Sequence, residues 1–194
     1  MQELPVFFPK NRQEWREWLI ENHQKEEAIW LGYYRTNTQI STIAYTDAVD
    51  EALCFGWIDS KLQPLDQQRY LQYFCKRKPT SVWSKVNKTK VEKLIAEGLM
   101  TQAGYKTIEI AKQNGSWTLL DDAENLVLPQ PLAQALQQAP LQTYWQNLSR
   151  TTQRNLLQWV AIAKKPETKT KRIDQIIEAI TNQTLPPNFI PKKS

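Results

Sequence analysis

Histidine, cysteine and glycine are scarce in this chain of 194 residues, and each scarcity excludes a kind of chemistry. His23 is the single histidine, so a Ser/His/Asp or Cys/His arrangement and most zinc sites would have to use it. The five glycines form no Gly-rich phosphate loop. Because His23 stands among polar residues at the end of a predicted helix, we interpret it as an exposed, solvating side chain. The sequence thus predicts no catalytic residues, no metal site and no cofactor.

The two cysteines, Cys54 and Cys75, lie in apolar segments and lack the CxxC spacing of many metal and redox sites. We interpret them as small buried hydrophobic residues of a protein in a reducing compartment. A disulfide between them stays open, because sequence cannot show whether the helix end and the strand that carry them touch.

Long hydrophobic runs are also missing. No segment approaches the roughly 18 apolar residues of a membrane-spanning helix, and Pro5 and Pro9 interrupt the apolar start that a signal peptide would need. We therefore expect a soluble, cytoplasmic protein. Its formal net charge of +5 weakly favours anionic partners, although an excess of this size is more often a solubility feature.

Apolar runs and capping residues predict the order of helices and strands. Asn11, with a glutamate three residues later, is typical of a capping box and predicts a first helix. Residues 28–34 are β-prone and apolar on both faces, which predicts a central strand covered on two sides. A hairpin is predicted to turn around residues 63–67, and Asn87 and Thr101 are predicted to cap two further helices.

A short helix before the hairpin is predicted to be capped by Thr46 and to end at Gly56, which suits the left-handed position after a last helical turn. Asp47, Asp50 and Glu51 lie in its first turns. We interpret these three acids as favourable partners of the helix dipole.

The composition changes across residues 118–131, which are acidic at first and then bounded by prolines. We place a domain boundary there. The predicted fold class is α+β, with a small, mainly antiparallel sheet packed by helices in a domain of residues 1–120. A C-terminal helical subdomain is predicted over residues 129–184, followed by a flexible tail at 185–194.

The densest candidate chemistry lies on the predicted hairpin and on the basic segment after it. Seven cations and one acid stand between positions 76 and 93, and a tryptophan among them could stack on a base. We expect Trp57 and Trp83 to line one concave surface, with Asp59 near its floor. Each of these features also has an interpretation without a binding site. Trp83 could belong to the core, Asp59 could hold the end of a strand, and the basic segment could be a solvated helix face. The candidate ligand- or anion-binding residues here are Trp57, Asp59, Arg77, Lys78, Ser81, Trp83, Lys85 and Asn87.

A second basic cluster, residues 164–172, surrounds the predicted start of the last helix. Cations at this end oppose the helix dipole, which makes the cluster a slightly better candidate for an anion site than its number of charges suggests. Thr168 and Arg172 are the candidate anion-binding residues there, together with the free amides of the helix start.

Several segments resemble the YdeI/OmpD-associated family of bacterial proteins, and together they run through nearly the whole chain in order. They are Phe8–Leu19, Ala28–Leu31, Tyr45–Asp59 (which contains ALCFGWID), Arg77–Asn87, Glu97–Met100 and Ala163–Ile173. The family's name implies a link to bacteriocin protection and to an outer-membrane porin. The resemblance implies no catalytic residue.

Three functions follow as alternatives. The resemblance implies a small, non-catalytic binding or stress-tolerance factor of the bacteriocin-protection type. The basic segments suggest a module that binds nucleic acid or another anion. The expected concave surface near Trp57 suggests an enzyme that acts on a small anionic substrate. The partner is accordingly an anionic small molecule, a nucleic acid or another protein.

Overall fold

A computed structural model of the chain describes residues 4–190 and divides the chain into two compact units, residues 1–117 and 118–194. Within the described range, no helix has both the length and the apolar character needed to cross a membrane. The last four residues of the predicted tail, 191–194, lie outside the described residues.

The first unit is an α+β structure, as predicted. Its elements are β1 (Val6–Phe7), α1 (Arg12–Asn22), β2 (Ala28–Tyr34), α2 (Tyr45–Cys54), β3 (Trp57–Pro64), β4 (Arg69–Lys76), α3 (Lys85–Ala96) and α4 (Gln102–Gln113), with a 3-10 turn at Thr36–Thr38. The described strands form one sheet in the order β1-β2-β4-β3. Only the β1–β2 pair among them is parallel, so the sheet is mixed but mainly antiparallel.

One face of the sheet forms the core of this unit. Ile29, Phe74 and Asp59 are in register across β2, β4 and β3, and therefore point to the same side. Ile29 and Phe74 are fully buried in one apolar cluster with Trp15 and Leu19 of α1. The central position predicted for residues 28–34 is confirmed, since β2 pairs with a strand on each side.

Two of the predicted helix caps are confirmed and two are wrong. Asn11 accepts a hydrogen bond from the amide of Glu14, and Thr101 caps α4. Helix α2 already begins at Tyr45, after a residue that supplies no side-chain cap, so Thr46 lies inside it. Helix α3 is capped by the Ser84 hydroxyl, which accepts the amide of Asn87 at 3.3 Å. The helix therefore begins three residues earlier than predicted. Asn87 lies in its first turn and donates its amide to the cap instead of being the cap.

Glu51 joins helices α1 and α2 through a buried ion-pair network. Its side chain is 1% exposed, and its two oxygens accept from Nε of Arg12 at 2.5 Å and from Nη1 of Arg16 at 2.6 Å. Burial alone would lower the pKa of the Arg12 guanidinium, but the hydrogen bond and the charge of Glu51 outweigh burial and raise that pKa. Nη2 of Arg16 also donates to the carbonyl of Leu99, so the network reaches the segment before α4.

Gly56 forms the turn between α2 and β3 with a backbone φ of +74°, as its predicted role at the helix end requires. A Cβ atom here would lie 2.7 Å from Cγ2 of Thr107 and 3.0 Å from the carbonyl oxygen of Ala103. The turn thus needs glycine for its conformation and for its close approach to α4.

The second unit is helical in the part that the structure describes. Its helices are α5 (Asp121–Glu124), α6 (Gln130–Ala135), α7 (Ala139–Asn147), α8 (Arg150–Ala161) and α9 (Pro166–Thr181), with a 3-10 turn at Pro187–Phe189. Leu132, Leu156 and Ile176 are fully buried at its centre. Phe189 packs against this cluster and contacts the ring of Trp159, so the first residues of the predicted tail contribute to the packing.

Replacing Glu51 by Gln should destabilise the first unit by about 3 kcal/mol, because it leaves two partly buried guanidinium groups without their shared counter-charge. The control is Glu17→Gln on the exposed side of α1, which should change stability by no more than about 0.5 kcal/mol. Urea unfolding followed by tryptophan fluorescence measures both variants. If the two variants unfold at the same urea concentration, the ion-pair network does not contribute the expected stability.

Replacing Gly56 by Ala should cost more than the same change at Gly98. Both glycines have positive φ, but an added Cβ meets nothing within 4 Å at Gly98 and two close atoms at Gly56. We expect about 1–2 kcal/mol of backbone strain at each site and a further loss of about 1 kcal/mol or more at Gly56 from the displaced neighbours. Thermal unfolding of the two variants side by side tests this expectation, and an equal loss would refute the close contact with α4.

Candidate functional site

A pocket of about 700 Å³ lies within the first unit, where the ends of four elements meet. The end of α1, the turn between α2 and β3, the end of β4 and the first turns of α4 form its walls. The lining residues are His23, Gln24, Phe55, Gly56, Trp57, Lys76, Arg77, Thr101, Gln102, Ala103, Lys106, Thr107 and Ile110.

The charged side chains of the lining are cationic. They are Lys76, Arg77 and Lys106, and no carboxylate lines this pocket among the described residues. Nζ of Lys76 is paired with the exposed carboxylate of Glu27 at 2.6 Å and also donates to the carbonyl of Gln24. Lys106 has no ion-pair partner within residues 4–190. The pocket therefore carries an uncompensated positive charge.

Arg77 is the most unusual of these cations, because it is only 8% exposed. Its Nη2 donates to the carbonyl of Val82 at 2.5 Å, and its guanidinium lies 3.7 Å from the ring centre of Trp83. Nε and Nη1 are buried without a hydrogen-bond partner. Burial lowers the pKa of Arg77 to about 10, although the charge of Asp59 acts in the opposite direction. A buried cation with two unsatisfied donors is costly, since most buried polar groups find a partner.

His23 is half-buried and lines the pocket, so its interpretation as an exposed, solvating side chain is wrong. Its Nδ1 lies 2.8 Å from the carbonyl oxygen of Leu19, and the ring packs on Phe55. Because a carbonyl oxygen can only accept, the hydrogen bond places a proton on Nδ1. Nε2 is then the nitrogen that neutral His23 has available for other contacts.

The first turn of α4 contributes backbone donors to the same pocket. Thr101 caps the helix by accepting the amide of Gly104, and its hydroxyl donates to the carbonyl of Cys54 at 2.6 Å. The amides of Gln102 and Ala103 have no acceptor among residues 4–190. These amides lie at the positive end of the helix dipole.

Two sequence candidates lie outside the lining of this pocket. Asp59 is half-buried and accepts from the hydroxyl of Tyr45 at 2.7 Å and from Nε2 of Gln72 at 3.1 Å. Burial raises the pKa of Tyr45 to about 12, and the hydrogen bond to Asp59 and its charge add to the effect. Trp83 is 1% exposed and packs on Trp117 in the core. The expected concave surface thus includes Trp57 but is completed by Arg77 and α4 rather than by Trp83 and Asp59.

Several cations of the predicted basic segment are paired with acids. Nζ of Lys90 lies 2.5 Å from Oδ1 of Asp50, and Nζ of Lys93 lies 3.7 Å from Oε1 of Glu97. Lys88 lies over the ring of Trp117. The segment is therefore rich in cations along the sequence, but several of these cations are neutralised by acids or packed on an aromatic ring in the folded structure.

The other candidates of that segment do not line the pocket either. Lys78 and Lys85 are exposed, and the amide of Ser81 donates to the carbonyl of Lys78 in a turn. Asn87 lies in the first turn of α3, as described above.

Thr168 and Arg172 belong to the second unit. Arg172 donates to the carbonyl of Trp159, and its guanidinium lies 5.1 Å from the ring centre of the same tryptophan. These contacts give Arg172 a packing role between α8 and α9. Thr168 is half-buried in the first turn of α9, which has no side-chain cap.

Lys106 and the free amides of α4 were not among the sequence candidates. A signal for the amides was present, because Thr101 was predicted to cap a helix and the next residues of a helix start lack acceptors. Their proximity to Arg77 depends on the tertiary structure. Within residues 4–190, no group of three or more His, Cys, Asp or Glu side chains could hold a metal ion, and both cysteines are free thiols.

Comparison with known proteins assigns the two parts of the chain to different family models. Residues 7–107, more than half of the chain, match the model described as a domain of unknown function, DUF8412. Residues 125–183 match OmdA, described as bacteriocin-protection, YdeI or OmpD-associated. Neither the curated proteins nor the solved structures include a match. Of the segments that resemble the YdeI/OmpD-associated family, Ala163–Ile173 lies within the OmdA match, and the N-terminal segments lie within the DUF8412 match. The chain therefore belongs to the DUF8412 family and carries, at residues 125–183, a domain of the YdeI/OmpD-associated family, which confirms the resemblance in that part.

Proposed function

We propose that the first unit is a binding module for a small organic anion, which it holds in the pocket between α4 and the end of β4. The observation that carries the proposal is Arg77, a residue of the cavity wall whose buried guanidinium has no carboxylate partner among the described residues. The cavity volume of about 700 Å³ lies within the range of about 300–1,000 Å³ that is typical of small-molecule sites.

The charge of the pocket favours an anion over a neutral ligand. Arg77 and Lys106 have no carboxylate partner among the described residues, and Lys76 shares an exposed one. An anionic ligand would supply the missing counter-charge, and Lys106 could donate to it a charge-assisted hydrogen bond, which is stronger than a neutral one. The burial penalty of Arg77 in the free protein would then be offset in the complex.

The remaining wall favours an organic ligand over a simple ion. Ile110 and Thr107 border the pocket on α4, and Phe55, which is 5% exposed, lines it in front of the fully buried Trp57. Apolar surface that leaves water in such a site contributes to affinity in proportion to its area. A molecule with an anionic group and an apolar body would use both kinds of wall.

Reversing the charge of Lys106 should weaken binding, whereas the same change at Lys112 should not. Lys112 lies on the same helix but outside the pocket. Thermal unfolding with a panel of aromatic carboxylates, sulfates and phosphate esters at constant ionic strength should identify at least one stabilising compound. Its affinity, measured by calorimetry, should fall about tenfold in Lys106→Glu, since an attraction of about 1 kcal/mol at 4 Å in water becomes a repulsion.

Two results would contradict this function. The first is a panel in which no compound shifts the unfolding temperature more than an equal concentration of sodium chloride. The second is an equal loss of affinity in Lys106→Glu and Lys112→Glu, which would indicate a general effect of charge rather than binding in the pocket.

The description of the family matched at residues 125–183 favours a second function, protection against bacteriocins. We propose that this role belongs to the second unit. A bacteriocin-sensitive strain that expresses the whole chain should survive at higher bacteriocin concentrations than a strain with an empty vector. Equal killing curves for the two strains, with expression of the chain verified, would reject the role.

A further inference from the structure

We propose that the anionic group of the ligand is a phosphate monoester, bound by the first turn of α4 together with Arg77 and Lys106. The inference rests on the proposed function and specifies its ligand class. No comparison with known proteins assigns a ligand or a binding residue to this chain.

The backbone of α4 is arranged for a group with several acceptor oxygens. The helix has 12 residues, and its capping threonine leaves the amides of Gln102 and Ala103 free beside the pocket. Two adjacent free amides at the positive end of a helix form a recurrent phosphate site. A carboxylate has two oxygens to offer, whereas a phosphate monoester has three terminal oxygens and close to two negative charges near neutral pH.

Arg77 gives an independent indication of an anion at this place. Arg77 follows β4, far from α4 in sequence, and lines the same pocket, and its buried guanidinium has no carboxylate partner among residues 4–190. Lys106 adds a cation one turn into α4. Lys76 also lines the cavity, but its charge is paired with Glu27, so Arg77 and Lys106 are the two uncompensated cations of the described lining, which suits a dianion better than a monoanion.

The turn at Gly56 explains how these donors come together. The carbonyl of Gly56 accepts the amide of Arg77 at 2.9 Å, while its α-carbon approaches Ala103 and Thr107 of α4. One turn therefore contacts both the end of β4 and the start of α4. It holds the guanidinium and the free amides at adjacent walls of the pocket.

The test removes a single amide donor without removing the helix. Gln102→Pro deletes the free N–H at the first helical position, where proline is well tolerated. The preceding Thr101 already has φ −92° and ψ 167°, a conformation compatible with a following proline. Gln102→Ala is the matched control, because it deletes the same exposed side chain and keeps the amide.

Calorimetry compares the binding of phenyl phosphate, phenyl sulfate, benzoate and inorganic phosphate. The pH is about 7.5, because a monoester with a second pKa of about 6 is then mostly a dianion. Phenyl phosphate should bind the native protein about tenfold or more tightly than each of the others. Gln102→Pro should lower the affinity for phenyl phosphate about tenfold, since a hydrogen bond to a charged group is stronger than one between neutral groups. This loss is measured against Gln102→Ala, so that any contribution of the Gln102 side chain is absent from both variants.

A second measurement on the unaltered protein covers the case in which the proline variant fails to fold. The amide resonances of Gln102 and Ala103 should move downfield on titration with phenyl phosphate, while amides in the second half of α4 should not. Unmoved resonances at saturating phenyl phosphate would overturn the inference.

The outcomes separate this inference from the function on which it rests. If benzoate or phenyl sulfate binds as tightly as phenyl phosphate, the pocket is a general anion site and the phosphate assignment is wrong. If inorganic phosphate binds as tightly as phenyl phosphate, the site binds phosphate but the assignment of a monoester is wrong. If none of the four binds and the wider panel is also silent, the proposed function itself fails.

Discussion

The ion-pair network of Glu51 is the interaction on which the rest of the first unit depends. Arg12 and Arg16 fix α1 against α2 through this one carboxylate, and Arg16 continues to the carbonyl of Leu99 just before α4. The guanidinium of Arg16 also lies 5.4 Å from the ring centre of Phe55, in the pocket wall. Because buried ion pairs are stable only when every partner is in place, the same network that joins the helices also positions two walls of the pocket.

Arg77 presents the opposite situation, since it is a buried cation that has no carboxylate partner among the described residues. The guanidinium packs on Trp83 and has one carbonyl partner, while two donors stay unsatisfied and burial lowers its pKa. Stability alone would favour an apolar residue at such a position. Arg12 and Arg16 share the counter-charge of Glu51, whereas Arg77 has none among the described residues, and this contrast is the physical basis of the proposed anion site.

Local rules predicted those features of the fold that depend on neighbouring residues. The caps at Asn11 and Thr101, the role of Gly56 and the central strand at 28–34 follow from periodicity and side-chain chemistry within a few positions. Glu51 was assigned to the helix dipole from its position in α2, because sequence cannot show that two arginines from α1 converge on it. The burial of Arg77 was missed for the same reason, since adjacent cations in a polar segment usually indicate an exposed turn.

Charge counted along a sequence and charge gathered in space lead to different sites in this protein. The stretch from residue 76 to 93 is rich in cations, yet Lys90 and Lys93 are neutralised by acids from α2 and from the end of α3. Lys106, by contrast, stands alone in sequence and joins Arg77 only because α4 returns to the end of β4. All lining residues of the pocket lie between positions 23 and 110, whereas the bacteriocin-protection description applies to residues 125–183. A ligand-binding role of the first unit therefore has to be argued from its own geometry, and the family description of the second unit supplies no substitute.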